Sequence, residues 1–491
     1  MWKLSRLFGE SLKETGPRIT RLYAVTIGGL AVVGLLAAAA LLLELAQPTP
    51  WLLNPVQFGS LLTLHGIIMV FLVTVHLFPA VLGTAFIPKA VGASKLAMPR
   101  ANLFGWLLFT LGSVAVVCGA QFGRHQGGWK MTLPPDVGAE PAFVVLVAGL
   151  GATALASLIV NLSLVATVFA GKHRSISLSA VPLSAWFFVF GSLMQLVVVP
   201  ARFWFLAARL PGVDEALINP IAGIEPSVLL RHLFWIYANP AILSVLLPAI
   251  GVACAIIEGD RSRVRLPRRS LLAGGIALSL LGLVSWGQHL LTAFDPGFVA
   301  VSGSLYGLLT IVPATLIFFV LLRHWLPGGP YPSVPNLALF GQISTFAVLV
   351  LSGVALAVPA TGVHLHNTYT TVAHLHFGVI GIGVMGFVAG AAHFRSRTAQ
   401  QLSKTPILGM ILGLHATFIP LILIGLGGAP RAYQNYAPGA HSSHIIAAIG
   451  GLVLIVSVIG WLVDVWRTGR RTAVPAIVSS QDRVGDYAAE V

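Results

Sequence analysis

The stretch HNTYTTVAHLHF, from His366 to Phe377, sets three histidines at the start of an otherwise apolar run, two of them one residue apart. On an α-helix, residues i and i+2 project about 200° apart. His374 and His376 therefore cannot ligate one metal from one helix, but they can ligate two cofactors, one on each side of it. Neutral imidazole is a good axial ligand for haem iron. A six-coordinate haem needs a second histidine from another helix, and His65 in TLHGIIMVF is the natural candidate. The other haem keeps an open face for a gas. The plain alternative is that a membrane histidine packs against a neighbouring hydroxyl or lines water. It serves as well as ligation for a lone residue such as His76. It serves less well for the H-x-H pair, because two buried imidazoles on opposite faces each need a partner. His289, in SWGQHLLTAF, is a further histidine inside an apolar run.

These residues need helices in a membrane to position them. The 491-residue chain is 56% hydrophobic and 9% charged, with a mean hydropathy of +0.89, whereas soluble domains carry roughly 25% charged residues. Runs of about 20 apolar residues span a bilayer as helices. Twelve are read here: 22–46, 59–88, 101–121, 141–170, 182–208, 227–257, 271–293, 299–325, 334–358, 367–396, 406–428 and 443–466. Lysine and arginine concentrate in alternate loops: Lys89, Lys95 and Arg100; Lys172 and Arg174; Arg261, Arg263, Arg265, Arg268 and Arg269; Arg395, Arg397 and Lys404; then Arg467, Arg470 and Arg471. The positive-inside rule puts those loops and both termini in the cytoplasm. It also accounts for the net charge of +14 without nucleic acid as a partner. The expectation is an all-α integral membrane protein of about twelve transmembrane helices. Residues 22–466 form one haem-binding domain between cytoplasmic tails at 1–21 and 467–491. No A-x-A cleavage site follows a short apolar core near the start. The two cysteines, Cys118 and Cys254, lie in apolar runs and suggest no disulfide framework, and there is no C-x-x-C-H or C-x-x-C.

Several landmarks occur together and in order: TLHGIIMVF with IPKAVGASKLAMPRANLFGW, then GGWKMTLPPD, HLFWIYANPAILSVLLP, HNTYTTVAHLHF and GGAPRAY. Over nearly its whole length the chain resembles subunit I of the haem–copper oxidase superfamily, similar to subunit I of cytochrome c oxidase. The resemblance implies that His65 and His376 bind a low-spin haem and that His374 binds a high-spin haem. It implies that Arg431, Trp129 and His366 lie in the haem propionate region, where a guanidinium can pair two carboxylates. The HN at 366–367 and the DPG at 295–297 resemble the B-type branch more than the A-type.

The pattern breaks at the second metal. The family binds copper through one histidine of H-P-E-V-Y and an H-H pair. The corresponding residues here are Asn239, Pro240, Ala241, Ile242 and Leu243, then Gln288 and His289. One of three copper ligands survives. Leu243 stands where many oxygen reductases have a cross-linked tyrosine, and Ala241 where A-type enzymes have a proton-transferring glutamate. Lys95 and Ile317 match the aspartate and lysine of the two A-type proton paths, which argues against pumping. Amide oxygen is a harder ligand than imidazole, so an Asn239/Gln288/His289 site suits non-haem iron better than copper, or holds nothing. Oxygen reduction consumes four electrons quickly, and the missing copper and tyrosine supply two of them in the family mechanism. Nitric oxide reduction takes two electrons per pair of NO molecules and needs no tyrosine. Divergent nitric oxide reductases of the superfamily often carry altered metal ligands, although here no intramembrane carboxylate lies near Asn239 or His289.

The expected function is thus the catalytic subunit I of a respiratory terminal oxidoreductase that reduces a diatomic gas, with NO favoured over O2. One alternative is an O2-reducing cytochrome c oxidase with an unusual second metal site. Another is a non-catalytic two-haem electron-transfer or gas-sensing membrane protein with a vestigial site. Burying two amides is costly unless they are used, which favours catalysis. Without a dinuclear copper motif or a covalent haem c, electrons must enter through a partner subunit bearing copper or haem c, from cytochrome c or a similar donor. The expected location is a bacterial or archaeal inner (plasma) membrane, multi-pass in the lipid bilayer. Ser302, Tyr306 and Thr310, four apart on one helix face, could hold a water chain for protons. Their hydroxyls could equally bond their own backbone.

Overall fold

The computed structural model describes residues 15–122, 128–131, 140–210, 212, 226–259, 265–292, 297–326, 333–394 and 402–471. Among the sequence landmarks, Arg261, Arg263, Asp295, Pro296, Arg395, Arg397 and the 132–136 part of GGWKMTLPPD lie outside the described residues. The described chain is helical and holds twelve helices long and apolar enough to cross a membrane. They are α1 (Gly16–Glu44), α2 (Pro55–Ala90), α3 (Pro99–Gln121), α4 (Pro141–Phe169), α5 (Leu183–Ala207), α6 (Val228–Gly259), α7 (Arg268–Leu290), α8 (Gly297–Trp325), α9 (Val334–Ala357), α10 (Tyr369–His393), α11 (Thr405–Leu426) and α12 (Pro438–Thr468). Each corresponds to one apolar run of the sequence, with ends shifted by a few residues.

Burial separates inner from outer helices. The most apolar window of α2 is 83% buried and those of α5, α6 and α10 are each 72% buried, against 22% for α1 and α8. The inner helices include those that carry His65, Asn239, His374 and His376. Lipid gives little hydrophobic drive to helix association, so close packing at small residues decides it. A Cβ added at Gly112 of α3 would lie 2.7 Å from the Gly149 carbonyl of α4. One at Gly413 of α11 would lie 2.6 Å from the backbone nitrogen of Leu454 on α12. Proline shapes α6. Pro248 lacks an N–H, so the Ser244 carbonyl loses its helical partner, and α5 packs there through Gly191, whose added Cβ would meet that carbonyl at 2.5 Å.

Three features aim the histidines. First, α2 and α10 switch to π-helix soon after their histidines, at Ile68–Thr74 and Phe377–Val384. Such wide turns gather at functional sites. Second, α7 tightens into a 3₁₀ segment at Ser285–Leu290, where Gly287 and Gly303 let α7 and α8 meet backbone to backbone. Third, the end of α11 meets the start of α10 at Gly425, where an added Cβ would run into the Thr370 nitrogen and lie 2.8 Å from the Tyr369 carbonyl carbon. The start of α2 is fixed by a capping box, with Gln57 N donating to Asn54 Oδ1 at 2.9 Å and Asn54 N to Gln57 Oε1 at 3.0 Å. Gly425→Ala is expected to destabilise the protein by about 1–3 kcal/mol, the usual cost of overpacking. It would show as a lower thermal midpoint of the detergent-purified protein, with a shifted spectrum of any haem ligated by α10.

Candidate functional site

The rings of His65 and His376 face each other with centroids 6.3 Å apart and planes within 5°. Each ring is oriented by its Nδ1. His65 Nδ1 lies 2.9 Å from the Gly34 carbonyl of α1, and His376 Nδ1 lies 2.7 Å from the Val372 carbonyl one turn earlier on α10. A carbonyl only accepts, so both Nδ1 atoms carry the proton and both Nε2 atoms keep a lone pair. Two imidazoles bound to one iron through Nε2 at about 2 Å each have ring centres roughly 6 Å apart. The pair therefore fits a haem iron between the rings. Phe418 of α11 stacks on His376 at 4.5 Å.

His374 points to the other side of α10. Its Nδ1 lies 2.9 Å from Ser352 Oγ of α9, and that hydroxyl donates to the Val348 carbonyl at 2.6 Å. Ser352 therefore accepts from His374 Nδ1–H, leaving Nε2 for a metal, the usual way a supporting group fixes a ligand's tautomer. The helix period alone separates the two histidines, and the structure gives each its own surroundings.

The second-metal region is different. His289 Nε2 lies 3.1 Å from Asn239 Oδ1, and Asn239 Nδ2 donates to the Gly282 carbonyl at 3.2 Å and to Ser285 Oγ at 3.0 Å. The amide nitrogen faces acceptors, so the amide oxygen takes the proton of His289 Nε2. Trp235 stacks on His289 at 3.8 Å and 12°. Gln288 turns its amide towards Gly307 of α8. Among the described residues no hydrogen bond joins it to Asn239 or His289, and no group of three or more histidine, cysteine, aspartate or glutamate residues stands together as a metal site. One imidazole, with its Nε2 already paired to an amide oxygen, does not fit copper.

Above the histidines lies a cationic lid. Arg431 Nη2 donates to Asn367 Oδ1, and its backbone nitrogen donates to the Asn367 carbonyl, both at 2.9 Å. The loop after α11 is thereby clamped to the segment that starts α10. Lys130 sits over the Trp235 ring at 5.0 Å, with its pKa pushed down to about 7 by burial and then by the neighbouring Arg431 and Arg231 charges. His366 is held below the ordinary imidazole range, mainly by burial and further by Lys130 and Arg431, although its Nδ1 bonds the Gly362 carbonyl at 2.9 Å. Trp129 seats its Cβ against Gly66, next to His65, where an added Cβ would lie 2.7 Å away. The like charge that lowers the pKa of Lys130 and His366 would be relieved by carboxylates placed among them, and haem propionates suit that need.

The chain matches the model of the family described as cytochrome c and quinol oxidase polypeptide I over residues 18–453. It belongs to that family. It is thus a haem–copper oxidase subunit I and a membrane haem oxidoreductase of the respiratory terminal oxidase class. Among similar proteins is cytochrome c oxidase subunit 1 of Thermostichus vulcanus, 28% identical over 460 residues, 91% of this chain and 83% of that one. Cytochrome c oxidase subunit 1 of Bacillus subtilis is 27% identical over 465 residues, 91% of this chain and 74% of that one. A haem–copper terminal oxidase dimer solved by cryo-electron microscopy shares the fold with a TM-score of 0.72 at 16% identity, covering 94% of this chain and 86% of that chain.

Among the described residues of this oxidase subunit no hydrogen bond joins the side chains of Ser302, Tyr306 and Thr310 to one another. Ser302 Oγ donates to the Val299 carbonyl at 3.3 Å and Thr310 Oγ1 to the Tyr306 carbonyl at 2.8 Å. Tyr306 is 37% exposed on the outer side of α8. Sequence reading also passed over Ser352, Lys130 and Trp235. Trp235 was within reach, being four residues before Asn239 and so on the same helix face. Ser352→Ala is expected to lower affinity for the haem at His374 by 10–100-fold, in the range for lost supporting hydrogen bonds. It should leave the low-spin signal intact, whereas His376→Ala should abolish that signal. Haem content with optical and electron paramagnetic resonance spectra separates the two outcomes.

Proposed function

We propose that this subunit reduces a diatomic gas and that NO is favoured over O2. His65 and His376 hold a low-spin haem and His374 a high-spin haem. Bound haem iron supplies the electron transfer and the open coordination face for the gas. The protein's own part is to fix geometry and protons. Gly34 and Val372 carbonyls hold the facing imidazoles in one tautomer, Ser352 holds the third, and Arg431, Lys130, Trp129 and His366 receive the propionates. His289 keeps its proton at Nε2 through Asn239 Oδ1, which places a proton donor where the family has copper. Were non-haem iron bound there instead, Asn239 and His289 would have to give up their mutual hydrogen bond and Gln288 would have to rearrange, and the amide oxygens would suit iron better than copper.

The observation that carries the reading is the direct Asn239–His289 hydrogen bond in place of a three-histidine copper set. Reduction of two NO with two electrons and two protons gives N2O and water. It needs neither the tyrosine replaced by Leu243 nor a copper reserve. Electrons enter from a partner subunit bearing copper or haem c, itself reduced by cytochrome c or a similar donor. Both termini face the cytoplasm of a bacterial or archaeal plasma membrane. The proton route through Ser302, Tyr306 and Thr310 would require bridging waters, with the Ser302 and Thr310 hydroxyls now bonded to carbonyls of their own helix. The O2-reducing alternative is supported by the names of the two relatives given above, both cytochrome c oxidase subunits.

Two measurements bear on this reading. With NO and O2 electrodes in parallel and a reduced donor, the purified complex should consume NO rapidly and O2 slowly; the reverse order would sink the NO preference. Copper analysis should find well under one copper per two haems. The double change Asn239→His with Gln288→His should raise copper content towards one, and failure to do so would mean that more than the ligand set has been lost.

A further inference from the structure

Arg202 lies in α5, five residues before the end of that helix, with 2% of its surface exposed, and an unpaired charge buried in a membrane-spanning helix is costly. Its acceptors are all neutral. Nη1 donates to Tyr237 Oη at 3.1 Å, and Nη2 donates to the Leu150 carbonyl at 2.9 Å and to Thr153 Oγ1 at 2.8 Å. The faces of Phe71 and Tyr237 lie 5.4 and 5.3 Å from its Cζ. Among the described residues no carboxylate pairs with it. The nearby buried His76 brings no negative charge, since its Nε2 lies 3.3 Å from the Thr153 carbonyl and its Nδ1 has no partner. A guanidinium has five N–H bonds, of which three are engaged here.

A small cavity lies against this group, lined by Arg202, Tyr237, Phe71, Met131, Phe205 and Phe234, among others, with room for about one water-sized molecule. Tyr237 Oη accepts from Arg202, so its own hydrogen is left to donate. Two donor groups, one of them charged, thus border a cavity with otherwise apolar walls. Arg209 stands seven residues further along α5, two turns on and on the same face. Its Nε is buried without a partner, and its Cζ lies 5.5 Å from the Phe143 ring.

We propose that this cavity is a binding site for one small inorganic monoanion of halide size, held by the Arg202 guanidinium and Tyr237 Oη and reached past Arg209. The anion is the counter-charge that lets α4, α5 and α6 share a buried arginine. Aromatic walls and single-molecule volume select against larger or doubly charged anions, which lose too much hydration on entry.

The first test is diffraction from the haem-loaded complex crystallised with sodium bromide, collected at the bromine edge. The expected result is one anomalous peak within hydrogen-bond reach of Arg202 and Tyr237 Oη. A cavity filled by water alone, or by a carboxylate of bound haem or lipid, overturns the proposal. The second test is the thermal midpoint of the complex as chloride replaces gluconate at constant ionic strength. It should rise with chloride in the wild type and lose that dependence in Arg202→Met; equal dependence in both overturns the proposal. Should Arg202→Met fail to fold, Tyr237→Phe keeps the charge and removes one donor. It should weaken the chloride response by roughly three- to tenfold, and an unchanged response counts against the site.

Discussion

The structure depends on which nitrogen of each histidine is committed to the protein. An imidazole has two, and only the one without a proton can bind a metal. Gly34, Val372 and Ser352 each engage an Nδ1, leaving Nε2 of His65, His376 and His374 for ligation. Two of these partners are backbone carbonyls, which cannot donate, so the tautomer follows from the fold with no further control. The facing rings at 6.3 Å then require α1, α2, α10 and α11 to keep fixed relative positions. Gly425, the capping box at Asn54 and the π-helical turns of α2 and α10 serve that requirement.

At His289 the same logic runs the other way. There it is Nε2 that is engaged, by the Asn239 amide oxygen, while the amide nitrogen is taken by Ser285 and Gly282. A buried asparagine is tolerated when both ends of its amide are paired, and this one is. Asn239 and His289 thus form a hydrogen-bonded arrangement rather than an empty or greasy one. Trp235 covers the ring on one side and Lys130 covers Trp235, so the pair is shielded from the outer loops.

Charge inside the bundle is managed by a few arginines and lysines with little acid to balance them. Lys130 and Arg431 crowd together at the lid, where bound haem carboxylates would relieve them. Arg202 sits apart, behind Phe71, with only neutral acceptors. Carbonyls, hydroxyls and aromatic faces carry part of its charge, and the proposed anion would carry the rest.

Much of this was legible in the sequence. Twelve apolar runs give twelve helices because a segment that crosses lipid must satisfy its own backbone, so hydropathy alone decides the number. The H-x-H at 374 and 376 places two imidazoles on opposite faces because the helical period is fixed. The ordered landmarks carried the family, and of the residues Asn239, Gln288 and His289 that the sequence grouped together, the structure brings Asn239 and His289 into contact. Tertiary structure decided the rest, because those features depend on residues far apart in the chain. Ser352 meets His374 across 22 positions and Gly34 meets His65 across 31, and no local pattern encodes such pairs. Where Gly287 and Gly303 let α7 and α8 approach, Gln288 turns towards α8, and the Asn239 amide oxygen pairs with His289. The outward exposure of Tyr306 followed from how α8 packs, which the four-residue spacing could not specify. Arg202 carries no local signal of its own, and packing alone closes Tyr237, Thr153 and Leu150 around it.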